Sequence, residues 1–201
     1  MKRSIRVEQG NLTEGRELLL VNPSNTNCEL RSGVSSAIRT SCGRGFEDAV
    51  VAQMYERFNG PMAPGQVLIT RAGLHPSALW VAHVALADYR NGYVDAAQIS
   101  PQTLRAAFTN LLREIESLAA APPISIAVPA MASSAIATLC AALHEHFVFT
   151  ENSKIGAVTF YGPSFAEYVN VAEEVSAYFE IDDLPGDLRA LVEEYKRAAI
   201  V

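Results

Sequence analysis

Residues Val21–Ile38 read "VNPSNTNCELRSGVSSAI", and the two ends of this stretch follow different rules. Together with the preceding "ELLL", the front is a continuous apolar run of strand length, the pattern of a strand buried on both faces. From Gly33 onward the spacing is that of a helix. Between them stand Asn22, Pro23, Asn25, Cys28 and Arg31, residues that turn a backbone or hydrogen-bond to it rather than pack. A strand followed by such a loop and then a helix start delivers free N–H groups to the carboxyl end of a sheet. That is where open α/β sheets hold anions.

The rest of the chain alternates in the same way. "SIRVE" is a short strand that stops at Gly10, and Glu47–Phe58 continues the helical pattern. Gly60, Pro61, Pro64 and Gly65 break it before the strand "QVLIT". "ALWVAHVAL" is a long strand with His83 inside its apolar run, and "ADYRNGYVDAAQIS" is a polar loop after it. Ser100 and Pro101 are a good cap and first residue for the next helix. Its apolar stripe is Leu104, Phe108, Leu111, Leu112, Ile115 and Leu118. "ISIAV" and "IGAVTFYG" are further strands, each followed by a helical stretch; the second stretch is Phe165–Tyr178, with Phe165 expected in the core. This alternation predicts a three-layer α/β domain. "DDLPGDLRALVEEYKRAAIV" adds one charged C-terminal helix, either a packed addition or an oligomer contact. The expected division is 1–180 for the main domain and 181–201 for the helical extension.

The totals exclude several classes. A net charge of −6 gives no overall positive field to draw in nucleic acid or an anionic membrane. Three cysteines and four histidines show no metal-ligand spacing, and the cysteines read as reduced thiols, which predicts a cytoplasmic protein without metal or cofactor. No segment has the run of about 20 apolar residues that a membrane span needs, and "MKRSIRVEQG" lacks the apolar core of a signal peptide.

A second loop, Pro129–Ile136, also follows a buried strand and leads into a helix, with small residues that let a ligand approach the backbone. Neither loop has the GxxxxGK[ST] or GxGxxG spacing of the common nucleotide motifs.

Six stretches in order resemble a macro domain, the module known for binding ADP-ribose, and the resemblance implies a three-layer α/β/α fold around a central mixed sheet. The family's "GDIT" is matched by Gly10-Asn11-Leu12-Thr13, and its "VNAAN" by Val21-Asn22-Pro23-Ser24-Asn25. Its first glycine-rich loop is matched by Arg31-Ser32-Gly33-Val34 with Ala37-Ile38, and its "VIH" strand by Val81-Ala82-His83. Its phosphate loop falls on Ala127 to Ala137 and its "VTLYG" strand on Val158-Thr159-Phe160-Tyr161-Gly162.

The resemblance implies ligand contacts at Asn11, Leu12, Asn25, Ser32, Gly33, Val34, Ser35, Ser133, Ser134, Ala135, Ile136 and Tyr161. Asn11 stands where the family has the acid that meets the adenine amino group; a turn-capping amide is the alternative. Asn25 matches the asparagine at the distal ribose, and Asn22 is expected to brace the loop. Tyr161 is either the ring that stacks on adenine or a strand-end tyrosine packed beneath the last helix. His83 is expected to be a hydrogen-bonded core histidine.

Hydrolytic macro domains of the commonest type carry an aspartate directly after the first loop, and here that position is Ser35. A neutral serine cannot act as a carboxylate base. Three readings follow from the resemblance. One is a binding module for ADP-ribose or an ADP-ribosylated protein with weak or no turnover. Another is a hydrolase of ADP-ribosyl esters or O-acetyl-ADP-ribose that uses Asn25 as its catalytic residue to place a water. The third is a degenerate macro fold kept for protein interaction. Nucleic acid is expected as a partner only through ADP-ribosylated or adenine-containing ends.

Overall fold

The computed structural model describes residues 3–92 and 97–199. In chain order the elements are β1 (Ser4–Gln9), β2 (Leu19–Asn25), α1 (Gly33–Cys42), α2 (Phe46–Phe58), β3 (Val67–Arg71), β4 (Trp80–Asp88) and β5 (Ala97–Gln98). They continue with α3 (Pro101–Ser117), β6 (Ile124–Pro129), α4 (Ser133–Phe149), β7 (Ile155–Gly162), α5 (Phe165–Ser176) and α6 (Gly186–Ala199). The chain forms two compact units, Arg16–Leu118, and Met1–Gly15 with Ala119–Val201. Part of the polar loop expected after β4, residues 93–96, lies outside the described residues.

In the Arg16–Leu118 unit, β2 runs parallel to β4 with Asn22 opposite His83, and β3 runs antiparallel along β4 with Leu68 opposite His83. The apolar run predicted a strand ending at Asn22, but β2 starts later and carries its polar tail, Pro23-Ser24-Asn25, along β4. Pairing with β4 overrides the turn preference of those residues, and the ladder slips register only between Ser24 and Asn25. α3 starts as expected: the Ser100 hydroxyl accepts from the Thr103 N–H, and Pro101 occupies the first turn. Its buried face is Ala107, Phe108, Leu111, Leu112 and Ile115, the three-four spacing that fills one side of a helix.

In the other unit β7 lies between β1 and β6, parallel to both, with Phe160 opposite Val7 on one side and Val128 on the other. α5 packs on β7 and β1, and also contacts α4 and α6. The α6 side chains of Leu188 and Val192 are buried. α5 opens with a capping box in which Ser164 and Glu167 satisfy each other's backbone N–H groups. Phe165, expected in the core, is instead 55% exposed. It is the first residue of α5, before the buried stripe of Tyr168, Val171, Ala172 and Val175 begins.

No helix among the described residues is long and apolar enough to cross a membrane. Gly162 ends β7 where the start of α5 folds back over it, and a Cβ there would overlap the backbone of Glu167 and Tyr168. Gly162→Ala is expected to destabilise the protein by about 1–3 kcal/mol, the usual range for overpacking. Urea denaturation checks this, and an unchanged midpoint would contradict the close approach.

Candidate functional site

The loop after β2 is organised by Asn25. Its Oδ1 accepts from the N–H groups of Asn27 at 3.0 Å and Glu29 at 3.2 Å, and its Nδ2 donates to the Glu29 carbonyl at 3.0 Å. The Cys28 N–H donates to the Asn25 carbonyl at 3.1 Å, closing a tight turn in which Cys28 takes a φ of +55°. The loop is then pinned to α2, where Glu47 accepts from the Leu30 N–H at 2.8 Å and from Arg39 at 3.1 Å. Beyond that pin Arg31, Ser32 and Gly33 are exposed. Arg31 approaches Glu29 to 3.9 Å but its side chain stays 74% exposed, so this pair adds little stability.

The start of α1 differs from that of the other helices with polar residues at the cap. Ser32 has the extended backbone of a cap residue, yet its side chain makes no capping bond. The first intrahelical bond is Ser36 N–H to the Ser32 carbonyl at 3.2 Å, so the N–H groups of Gly33, Val34 and Ser35 precede any turn they could bond to. Ser35 turns inward and donates to the Asn22 Oδ1 at 2.8 Å. Asn22 Nδ2 lies 3.1 Å from His83 Nδ1, and His83 Nε2 lies 3.1 Å from the Thr70 hydroxyl. Asn22 and His83 are fully buried and Thr70 nearly so. Three strands and one helix are thus joined by one chain of buried hydrogen bonds.

In the other unit α4 is likewise uncapped: Ala132 stands at the cap position and offers no side-chain acceptor. Sequence spacing placed Ser133, Ser134, Ala135 and Ile136 in a loop, but they form the first turn of α4. The Ala135 and Ile136 N–H groups both donate to the Ala132 carbonyl, at 2.8 and 3.1 Å, and both side chains are buried. Only Ser133 and Ser134 are exposed, with their N–H groups at the open end of the helix. Beside them a cavity of about 220 Å³ is lined by Met131, Ala132, Ser133, Ile136, Glu167 and Asn170 among others.

Asn11 caps the short turn Leu12–Glu14: its Oδ1 accepts from the Thr13 N–H at 3.1 Å and the Thr13 hydroxyl at 3.0 Å. Leu12 is buried. Tyr161 is only 5% exposed at the end of β7, whereas the exposed Phe165 ring lies 6.4 Å from that of Tyr168. Within its own unit the structure therefore joins Asn22 and Ser35 at the α1 start, and it sets Asn25 apart as a brace. Cys28 carries no reactive thiolate at neutral pH, since burial pushes its pKa up to about 12. His75 serves its own turn, its Nδ1 accepting from the N–H groups of Ser77 and Ala78.

The macro domain family model matches residues 21–138, more than half of the chain. The chain belongs to the macro domain family. Among solved structures it is similar to an Oceanobacillus iheyensis macrodomain with ADP, at 19% identity and a TM-score of 0.69, covering 88% of this chain and 92% of that one. A second structure, that macrodomain with MES bound, gives 18% identity and a TM-score of 0.70 over 88% and 92%. A Trypanosoma brucei macrodomain in complex with ADP-ribose gives 19% identity and a TM-score of 0.64 over 83% and 67%. At such identities the likeness establishes the fold, the α/β macrodomain fold that the motif order predicted. No protein of curated function matches the sequence.

Sequence reasoning missed the Ser35–Asn22–His83–Thr70 chain as a unit. The signal was present: a histidine within an apolar strand and an asparagine at the end of another each need a buried partner. Desolvation lowers the His83 pKa from 6.5 to about 3, so the native ring is neutral where an unfolded one would take a proton. Stability tied to this residue is complete above about pH 6.5 and is lost as pH falls from there toward 3. Between pH 6.5 and 5 the wild type should lose about 1–2 kcal/mol more than His83→Gln does. Urea midpoints across that window check this, and parallel slopes would contradict a neutral buried imidazole.

Proposed function

We propose that this macro domain binds ADP-ribose, free or attached to a protein, and turns it over weakly or not at all. The observation that carries this function is the contrast between helix starts. α3 and α5 are capped by Ser100 and Ser164, while α1 and α4, which follow the two loops of interest, have no side-chain cap. α2 has none either, but Glu47 and Asp48 in its first turn already place negative charge at its start. An uncapped start costs roughly 0.5–2 kcal/mol relative to a good cap, and an anionic ligand recovers it by accepting from the free N–H groups. Family membership and the related macrodomains solved with ADP and ADP-ribose supply the ligand that fits such starts.

In the Arg16–Leu118 unit the proposed anion contacts are the N–H groups of Gly33, Val34 and Ser35, with Ser32 beside them. In the other unit they are Ser133 and Ser134, whose hydroxyls add donors. Adenine falls to Phe165 rather than Tyr161, because a ring 55% exposed can offer a face and one 5% exposed cannot. Asn11 already spends its Oδ1 on Thr13, which weakens any contact with an adenine amino group. Residues 1–180 form the ligand-binding domain in this proposal, and 181–201 its helical extension.

Hydrolysis is disfavoured on two grounds. Ser35 brings no carboxylate and is bonded inward to Asn22. The Asn25 amide holds three loop bonds, so placing a water would require giving up part of that bracing.

Calorimetry with ADP-ribose is expected to show binding tighter than about 1 mM, roughly −4 kcal/mol. Phe165→Ala should weaken it by about 5–100-fold, the worth of one base on one ring, and Phe165→Tyr should not. No heat at millimolar ligand would sink the proposal and favour a fold kept for protein contacts. Incubation with an ADP-ribosylated protein should release no more ADP-ribose than the control without this chain, and rapid release would overturn the claim of weak turnover.

A further inference from the structure

Behind the α1 start runs a chain of buried polar side chains. Ser35, third in the helix, is tied to Asn22 at 2.8 Å. Asn22 is fully buried, and its Nδ2 lies 3.1 Å from His83 Nδ1. The ring's other nitrogen is 3.1 Å from the Thr70 hydroxyl on β3, and the Phe46 ring of α2 sits 6.1 Å from the imidazole. Asn22 and His83 each have a partner on both sides, so the amide of Asn22 has one satisfied orientation.

We propose that Asn22 and His83 are positioning residues for ligand binding: through Ser35 they hold the first turn of α1 with the Gly33, Val34 and Ser35 N–H groups turned to the ligand. This rests on the ADP-ribose assignment made above. The reasoning is one of orphaned groups. A buried donor without a partner is costly, so removing the acceptor at His83 Nδ1 makes the Asn22 amide rotate or shift in search of one. Either movement withdraws its Oδ1 from the Ser35 hydroxyl. α1 has no Ser32 cap bond to fall back on, so its first turn loses its side-chain anchor to the strands. The tether takes the place of a cap: it fixes the helix start through a side chain that points inward and leaves the outward N–H groups free. A serine cap would have fixed it by consuming one of them.

The two nitrogens of the ring allow the positioning role to be separated from plain stability. An asparagine at 83 places its amide near the position of Nδ1 and keeps the Asn22 side of the chain. A glutamine reaches the position of Nε2 and keeps only the Thr70 side. His83→Asn and His83→Gln are both expected to lower the urea midpoint. In amide proton–nitrogen spectra of the ligand-free protein, only His83→Gln should move the signals of Gly33, Val34 and Ser35. It should also weaken ADP-ribose by about tenfold, some 1.4 kcal/mol, while His83→Asn stays near wild type. Unmoved signals in His83→Gln would overturn the proposal, as would affinity losses that simply follow the loss of stability in both variants. If the wild type itself does not bind ADP-ribose, the function proposed above fails, and the amide signals still decide the tether. Should neither variant fold, Ser35→Ala cuts the chain at its outer end. It should then move the Gly33 and Val34 signals, and their constancy would overturn the proposal.

Discussion

A helix that begins without a side-chain cap has an unmet demand for an acceptor, and α1, α2 and α4 begin so. Of these α2 carries Glu47 and Asp48 in its first turn, while α1 and α4 each follow a strand-to-helix loop. For α1 the consequence reaches deep into the fold. Ser32 is placed to cap and does not, so the helix start is held from below by Ser35 on Asn22. That bond requires a polar amide inside a strand, the amide requires a histidine in the facing strand, and the histidine requires Thr70 on the next. Each polar group is tolerated in the core only because the next one satisfies it. An uncapped helix start is thus linked to a buried hydrogen-bonded chain.

The same logic separates bracing from recognition in the first loop. Asn25 and Asn22 lie three residues apart with identical side chains, and both are engaged by the protein itself. Asn25 closes its own loop on Asn27 and Glu29, while Asn22 faces the core. What is left exposed is short: Arg31, Ser32 and Gly33, then the backbone of the helix start. The proposed binding role leans on this economy, since Ser35 at the helix start is neutral and is bonded inward to Asn22.

Much of the fold was legible in the chain. Apolar runs located the strands, Ser100-Pro101 located the start of α3, and six motifs in order led to the family. The misreadings share a cause, which is that pattern does not record partners. β2 continues through Pro23-Ser24-Asn25 because β4 pairs with it, though the residues alone prefer a turn. Ser133 to Ile136 look like a loop because they are small, yet they already bond as a helix to Ala132. Phe165 reads as core by hydrophobicity and is exposed because it sits at the first position of α5, whereas Tyr161 is buried by its place in β7. The buried chain at His83 was half visible: a core histidine was expected, its connection to a helix start was not.

A crystal soaked in ADP-ribose gives the most direct view of the central claim, that the open helix starts are ligand sites. Density for a phosphate oxygen within hydrogen-bond distance of the Gly33, Val34 or Ser35 N–H, with Asn25 still bonded to Asn27 and Glu29, is the result expected. Density for the ligand elsewhere, with those N–H groups facing only water, would contradict it.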